Sequence, residues 1–210
     1  MEISPAAPRT PEEEKATAME RYCEYLKVSP EYFDGKRVLD LGCGDDAWFA
    51  RALKERGTAA DVWAVEARWL DALDPEKGIK YDEEGIRAEL GDRALAQDFM
   101  LDDLSLGGEV DSIVSVGALS LAVSDVEESW LPEVQAAARG LLAKLAVGGE
   151  LRFGRVPKML DEADGGRGYA RIVAALAAMD GDGFEARLEP VSEEPERNLA
   201  FELAVVRRVK

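Results

Sequence analysis

The feature that most constrains the fold is a glycine turn between a short apolar strand and a helix. The segment Arg37–Leu41 (RVLDL) has the composition of a short strand, and residues 47–56 have helical apolar periodicity. Between them lie Gly42 and Gly44, which can adopt backbone conformations that a side chain would oppose. This order is typical of α/β sheets that bind a ligand beyond the carboxyl ends of their strands.

Further strands and helices alternate along the chain after this unit. Apolar runs predict strands at 61–65, 86–90, 112–116 and 150–153, and helical patterns occur near 67–73 and at 131–145. Such alternation favours right-handed crossovers and a mainly parallel sheet with helices on both faces.

The C-terminal part departs from this alternation. A helix is predicted at 169–179, followed by strands at 184–190 and 200–209 that a polar loop joins. Two consecutive strands with a turn between them predict an antiparallel hairpin that closes the edge of the sheet.

The N-terminal part predicts a flexible tail followed by a helix. Two prolines interrupt residues 1–10. Thr10 and Glu13 then match a helix start in which each side chain caps the backbone of the other residue. We expect a leading helix within 11–30 and one domain that spans 11–210.

Composition limits the partners and the chemistry. The 43 acidic and 26 basic residues give a formal charge of -17, which disfavours nucleic acid and anionic membranes as partners. Histidine is absent, so catalysis by a serine or cysteine with a histidine base is excluded. Cys23 and Cys43 form no disulfide or metal-binding pattern, and no metal site is predicted. With no membrane span or signal peptide in the sequence, we expect a cytoplasmic protein.

The residue before the glycine turn indicates the charge of the ligand. Asp40 would repel the phosphates of a dinucleotide, and it suits a cationic ligand instead. The glycines alone are less specific, because Gly42, Gly44 and Ala47 also fit the G-x-G-x-x-A dinucleotide pattern. A nicotinamide or flavin site therefore stays open as an alternative.

The stretch 38–46 (VLDLGCGDD) resembles motif I of the class I S-adenosylmethionine-dependent methyltransferases. The resemblance extends over residues 37–153, and the final hairpin is similar to the reversed last strand of that family. It implies an α/β, Rossmann-like fold with a mainly parallel seven-stranded sheet, an antiparallel C-terminal hairpin and helices on both faces. It also implies S-adenosylmethionine as the cofactor.

The resemblance assigns roles to the residues of the turn. Gly42 and Gly44, with Cys43 between them, would pass under the amino-acid end of the cofactor. Asp40 would fix the loop, or hold the ammonium group of the cofactor through a bound water. The family usually has a third glycine where Asp46 stands in this sequence.

Glu66 follows the second predicted strand, about 20 residues after the glycine turn. A carboxylate suits a ribose diol because it offers several acceptor sites and no donor. The resemblance gives Glu66 this task and places Ala67 and Arg68 beside the adenosine.

For the amino group of adenine, the resemblance implies an acidic residue after the third strand. Gly91 and Asp92 match the common Gly-Asp ending, and Asp98 is a competitor because the connection to the next strand is long. Gly117, after the fourth strand, would lie at the edge of the cofactor pocket. The Asn-Pro-Pro-Tyr signature of amino-nitrogen acceptors is absent there, which argues against adenine or glutamine methylation.

These patterns predict a methyltransferase that acts on a small-molecule acceptor. The cofactor supplies a good leaving group, so the protein must chiefly align donor and acceptor, and no histidine base is needed. The sequence nominates no catalytic base, acceptor or oligomeric state. The alternatives are a non-catalytic domain that keeps the fold for binding or interaction, and an NAD-binding oxidoreductase.

Overall fold

The structure is a computed structural model that describes residues 9–71, 81–98, 104–116, 131–159, 183–194 and 199–210. Most of the predicted tail and the helix predicted at 169–179 lie outside the described residues. The helices are α1 (Pro11–Leu26), α2 (Trp48–Arg56), α3 (Arg68–Asp71), α4 (Glu83–Leu90) and α5 (Leu131–Leu142). The strands are β1 (Arg37–Leu41), β2 (Asp61–Val65), β3 (Ala94–Leu95), β4 (Val110–Val116), β5 (Leu145–Met159), β6 (Phe184–Glu194) and β7 (Leu199–Arg208).

The strands form one seven-stranded sheet in the order β3-β2-β1-β4-β5-β7-β6. Strands β1 to β5 pair in parallel wherever they are neighbours. Strand β7 lies between β5 and β6 and is antiparallel to both. The predicted mainly parallel sheet with an antiparallel C-terminal hairpin is therefore confirmed. Strand β6 of the hairpin forms one edge of the sheet, and β3 forms the other.

Alternate residues of each strand face opposite sides of the sheet, which gives the protein two apolar layers. Leu39 and Leu41 face a layer that includes Leu141 and Leu142 of α5. Val38 faces the other layer, to which α1, α2 and α4 contribute residues that include Leu26, Leu53 and Ile86. The predicted helices on both faces are confirmed. None of the described helices combines the length and the apolar character needed to cross a membrane.

Helix α1 begins with the predicted reciprocal cap. The Glu13 backbone N–H donates to Thr10 Oγ1 (3.3 Å), and the Thr10 N–H donates to Glu13 Oε2 (2.8 Å). The helix ends at Leu26, because Lys27 turns into the left-handed conformation with φ of 52°. The cap and the left-handed residue satisfy backbone groups that the helix itself leaves free.

The C-terminal end of α1 packs closely on β5. Arg152 donates from Nη1 to the Leu26 carbonyl (2.8 Å), which puts a cation at the negative end of the helix. A Cβ atom added at Gly154 would lie 3.0 Å from the carbonyl oxygen of Tyr25. The absent side chain therefore allows the helix to approach the sheet.

The prediction of a strand at 86–90 is wrong, because these residues belong to α4. Asp82 caps the helix by accepting a hydrogen bond from the Gly85 N–H (3.1 Å). Ile86 and Leu90 are four residues apart, so they share one helix face and are both buried. The third strand is instead the two-residue β3, which pairs with the end of β2.

Strand β5 is longer than the predicted 150–153 segment. It starts at Leu145, which pairs with Val110, and the register then shifts before Glu150 pairs with Ser112. Gly149 lies in this irregularity, where an added Cβ would be 2.9 Å from two carbonyl oxygens. Gly148 and Gly149 thus lie in a bulge inside the strand.

Substituting alanine for Gly154 should destabilise the protein by about 1 to 3 kcal/mol, because the new methyl group forces α1 away from β5. Urea denaturation of the two chains measures the free energy of unfolding. Gly140→Ala is the matched control, since Gly140 lies in α5 and an added Cβ meets nothing within 4 Å. The control should be neutral or stabilising by about 0.5 to 1 kcal/mol. Equal effects of the two substitutions would contradict the close helix approach.

Candidate functional site

The glycine turn joins the carboxyl end of β1 to α2 at the centre of the sheet. Gly42 and Gly44 have φ of 64° and 78°, in the left-handed region that favours glycine. The Gly42 and Cys43 N–H groups donate to the Val65 carbonyl at 2.8 and 3.3 Å. A Cβ added at Gly44 would meet nothing within 4 Å, so this part of the turn borders open space.

Glu66 lies directly after β2 and is only 7% exposed. Its Oε2 accepts a hydrogen bond from the Gly44 N–H (2.9 Å), and its Oε1 accepts one from the Arg68 N–H (3.1 Å). A carboxylate has about four lone-pair positions, so each oxygen keeps the capacity to accept a further donor. Glu66 thus ties the glycine turn to β2, a role that the sequence analysis missed because the two residues are far apart in sequence.

Asp40 is fully buried beneath the turn. Its Oδ1 accepts a hydrogen bond from the Tyr22 hydroxyl (3.1 Å). Its Oδ2 has no hydrogen-bond partner in the described part of the chain. Burial raises the pKa of Asp40 to about 8, and the nearby Glu66 carboxylate adds to the shift. The site therefore contains a buried carboxyl oxygen that a donor or a cation would stabilise.

Tyr22 and Phe49 form the packing beside Asp40. Their rings are stacked, with centroids 3.9 Å apart and an interplanar angle of 11°. Phe49 is almost fully buried and belongs to the core. Tyr22 is partly buried against the same apolar cluster as Phe49, and it also donates the hydrogen bond to Asp40, which helical periodicity did not reveal.

Cys43 is 8% exposed and lies inside the turn. Burial raises the pKa of its thiol well above the ordinary value, and the carboxyl groups of Asp40 and Glu66 add to the effect. A thiol with this environment is a poor nucleophile at neutral pH. Cys43 therefore serves as a small apolar residue of the turn rather than as a nucleophile.

Asp46, which stands where the third glycine is usual, connects the turn to α4. Its Oδ1 accepts a hydrogen bond from the Asp82 N–H (3.1 Å). Its side chain does not cap α2, whose N-cap residue is Ala47 with φ of 50°. The carboxylate is therefore used to hold the start of α4 against the turn.

Arg51 extends this connection below the turn. Its guanidinium pairs with Asp82 (2.9 Å) and Glu89 (2.6 Å), and its side chain is 4% exposed. Glu89 also pairs with Lys15 of α1 (3.0 Å). A single chain of ion pairs thus links α1, α2 and α4, all of which contribute residues to the apolar layer on this face of the sheet.

The other predicted site residues lie in different positions relative to the turn. Ala67 follows Glu66 and is half-buried. Asp92 lies near the amino end of β2, because the adjacent Arg93 bonds to Asp61, the first residue of that strand (2.9 Å). Asp98 comes three residues after β3 ends. The carboxyl end of β3 lies at the same end of the sheet as the glycine turn, because the strands are parallel. Gly117 lies outside the described residues.

A cavity of about 430 Å³ lies near the amino ends of β1 and β4, at the end of the sheet opposite the glycine turn. Its lining includes Lys36, which precedes β1, and Asp111, near the start of β4. Asp40 is near the other end of β1, so this cavity is separate from the site at the glycine turn. Among the described residues, no group of three potential metal ligands lies together.

The site has the chemistry of a receptor for a cation with a hydroxylated part. Asp40 and Glu66 are both acidic and buried, so a phosphate group close to them would be repelled. A positive charge would instead stabilise ionised Asp40. The remaining acceptor capacity of Glu66 suits neighbouring hydroxyl groups.

Comparison with solved structures identifies the architecture. N-methyltransferase NodS from Bradyrhizobium japonicum, crystallised with S-adenosyl-L-homocysteine, matches with a TM-score of 0.55 at 16% identity, over 91% of this chain and 87% of NodS. The chain has the class I methyltransferase fold. Magnesium protoporphyrin IX methyltransferase (ChlM) from Synechocystis, with bound S-adenosylmethionine, matches with a TM-score of 0.52 at 14% identity, over 98% of this chain and 86% of ChlM.

An rRNA methylase from Streptococcus thermophilus shares the class I methyltransferase fold as well. It matches with a TM-score of 0.55 at 12% identity, over 98% of this chain and all (100%) of the methylase. The solved structures similar to this chain thus include proteins described as acting on different kinds of acceptor. No protein-family model matches the sequence, and no curated protein matches it.

Replacing Asp40 by asparagine should change how stability depends on pH. The pKa of Asp40 is about 8 in the folded chain and about 4 in the unfolded chain. The folded state therefore binds the proton more tightly, and Asp40 makes the wild-type chain lose stability as the pH rises from about 4 to about 8. Asparagine does not titrate. We expect Asp40→Asn to gain stability relative to wild type by up to about 1.4 kcal/mol per pH unit in that interval.

Urea denaturation of the wild-type protein and of Asp40→Asn at about pH 5.5 and about pH 7.5 measures this difference in stability. Taking the difference between the chains removes the contribution of all other titrating groups, which the two chains share. A difference in unfolding free energy that is the same at both pH values would show that Asp40 is ionised throughout.

Proposed function

We propose that the chain binds S-adenosylmethionine at the glycine turn and transfers its methyl group to a small-molecule acceptor. The observation that carries this proposal is the fully buried Asp40, whose Oδ2 has no partner in the described part of the chain. A buried carboxyl oxygen without a partner is unfavourable unless a ligand supplies one. NodS was crystallised with S-adenosyl-L-homocysteine and ChlM with S-adenosylmethionine, which supports the same assignment.

The residues of the turn and of the strand ends divide the work of binding. Asp40 attracts the cationic end of the ligand, either directly or through a water molecule. Glu66 accepts hydrogen bonds from the ribose hydroxyls with the lone pairs that the Gly44 and Arg68 N–H groups leave free. The backbone of Gly42 and Gly44 allows the ligand to lie close to the turn.

We assign the adenine contact to Asp98 rather than to Asp92. Ligands in sheets of this type lie beyond the carboxyl ends of the strands. Asp98 follows β3 at that end, whereas Asp92 precedes β3. The choice follows from the position of β3, which the sequence analysis had placed at 86–90.

The bound cofactor supplies an activated methyl group on a sulfonium leaving group. The protein then has to hold the acceptor in line with this group and exclude water. The part that Asp40 and Glu66 take is to fix the donor, and the proposal assigns them no proton transfer. A neutral acceptor that loses a proton would need a base, and the described residues nominate none.

A small-molecule acceptor agrees with the charge of the chain. A formal charge of -17 repels a polyanion over most of the surface. The resemblance of the fold to an rRNA methylase does not alter this argument, because one fold serves many acceptors. We therefore propose a neutral or cationic metabolite rather than RNA.

Substituting alanine for Glu66 tests the ribose assignment. We expect the affinity for S-adenosyl-L-homocysteine to fall by about 5-fold to about 150-fold, because charge-assisted hydrogen bonds worth about 1 to 3 kcal/mol are lost. Isothermal titration calorimetry measures the dissociation constant. Glu20→Ala, an exposed substitution on α1, is the control and should bind as wild type does.

Because Glu66 also holds the turn, its removal could lower the affinity by disrupting the fold rather than by removing the ribose contact. Glu66→Gln keeps one carbonyl oxygen as an acceptor and should give an intermediate affinity. Thermal denaturation of each variant shows whether the fold is kept. An unchanged affinity in folded Glu66→Ala would refute the ribose role. Binding of NAD in place of S-adenosyl-L-homocysteine would favour the oxidoreductase alternative.

Methyl-labelled S-adenosylmethionine tests catalysis and the class of acceptor together. The chain is incubated with labelled cofactor and either a protein-free metabolite extract or total RNA. We expect label in small molecules and none in RNA, because the negative surface of the chain repels phosphate backbones. Labelled RNA would overturn the acceptor proposal. Cofactor binding without labelling of either fraction would favour a non-catalytic binding domain.

A further inference from the structure

Tyr22 connects the leading helix to the buried acid of the site. Its hydroxyl donates to Asp40 Oδ1 at 3.1 Å, across 18 positions in sequence. This leaves Oδ2 as the oxygen without a partner in the described part of the chain. The hydrogen bond therefore distinguishes the two carboxyl oxygens of Asp40, because it satisfies Oδ1 and not Oδ2.

The aromatic ring of Tyr22 is held independently of this hydrogen bond. It stacks on the ring of Phe49, with 3.9 Å between the ring centroids. Phe49 in turn contacts Phe33 edge-on, with 5.4 Å between the ring centroids. Phe33 and Phe49 are both buried in the core. Such packing fixes the position of the hydroxyl and would persist if the hydroxyl were removed.

The groups that face Asp40 act on its charge in opposite directions. Burial and the Glu66 carboxylate raise the pKa of Asp40, and the hydrogen bond from Tyr22 lowers it. The Cys43 thiol of the turn also lies near Asp40. The strand neighbours Ala64 of β2 and Val114 of β4 carry no charge. Among these groups, Tyr22 alone favours the ionised form of Asp40 through a hydrogen bond.

We propose that Tyr22 is a positioning residue of the cofactor site, which orients Asp40 and favours its ionised form so that the carboxylate can receive a cationic ligand. This inference rests on the proposed function, because it assumes that the ligand carries the ammonium group of S-adenosylmethionine. It makes α1 part of the binding site rather than only a packing helix.

The proposal has a consequence for pH dependence. A ligand with an ammonium group binds more tightly as Asp40 loses its proton, so its affinity rises with pH up to the pKa of Asp40 in the free chain. Removing the Tyr22 hydroxyl raises that pKa further, so the rise moves to higher pH. The affinities of the two chains then approach each other at high pH, where Asp40 is ionised in both.

Calorimetric titration with S-adenosyl-L-homocysteine from about pH 6 to about pH 8.5 tests the inference on the full chain. For a shift of about one pH unit, Tyr22→Phe should bind about 10-fold more weakly than wild type at about pH 7, and about 3-fold more weakly at about pH 8.5. Tyr25→Phe, on the same helix, is the control and should follow the wild-type profile. The ligand has a neutral sulfur, so the experiment isolates its ammonium group.

A ratio of affinities that does not change with pH would overturn the inference and leave the proposed function intact. Failure of the wild-type chain itself to bind the ligand would overturn both. In an Asp40→Asn background, the loss caused by Tyr22→Phe should disappear, because no titrating carboxyl group remains. Persistence of the loss in that background would show that Tyr22 acts by packing alone and would also overturn the inference.

Discussion

The hydrogen bond from the Gly44 N–H to Glu66 is the interaction on which the rest of the site depends. It joins the glycine turn after β1 to the residue that follows β2, and these two strands are neighbours in the sheet. A free glycine turn has many accessible conformations, and a charge-assisted bond to a buried carboxylate selects one of them. The turn, the acid and the start of α2 are therefore positioned together, before any ligand binds.

The same arrangement buries two acids close to each other. Asp40 and Glu66 are both buried, and Asp40 has an unpaired oxygen within the described residues. Proteins generally avoid such groups, because burial of a carboxyl oxygen that has no hydrogen-bond partner is unfavourable. Their presence at the ends of neighbouring strands is easier to explain by ligand binding than by stability, since a cation would relieve the cost. The unfavourable burial of Asp40 and the proposed affinity of the site for a cation then have the same cause.

Asp46 shows how a departure from the usual motif is accommodated. A residue other than glycine could disrupt the turn, but its carboxylate accepts the Asp82 N–H and the following Ala47 takes the left-handed conformation. The turn is thereby attached to α4 and, through Arg51, to the ion pairs that reach α1. The substitution gives the helices on this face a polar connection that apolar packing alone would lack.

The sequence by itself determined the elements whose causes are local. The strands Arg37–Leu41 and Asp61–Val65 have the predicted bounds, because a short apolar run next to a turn leaves few alternatives. The strand predicted at 86–90 failed because a short apolar run fits helix and strand equally, and the cap by Asp82 decides for helix. Only the tertiary structure could bring Tyr22 to Asp40, because hydrogen bonds between distant positions depend on how the helices pack on the sheet.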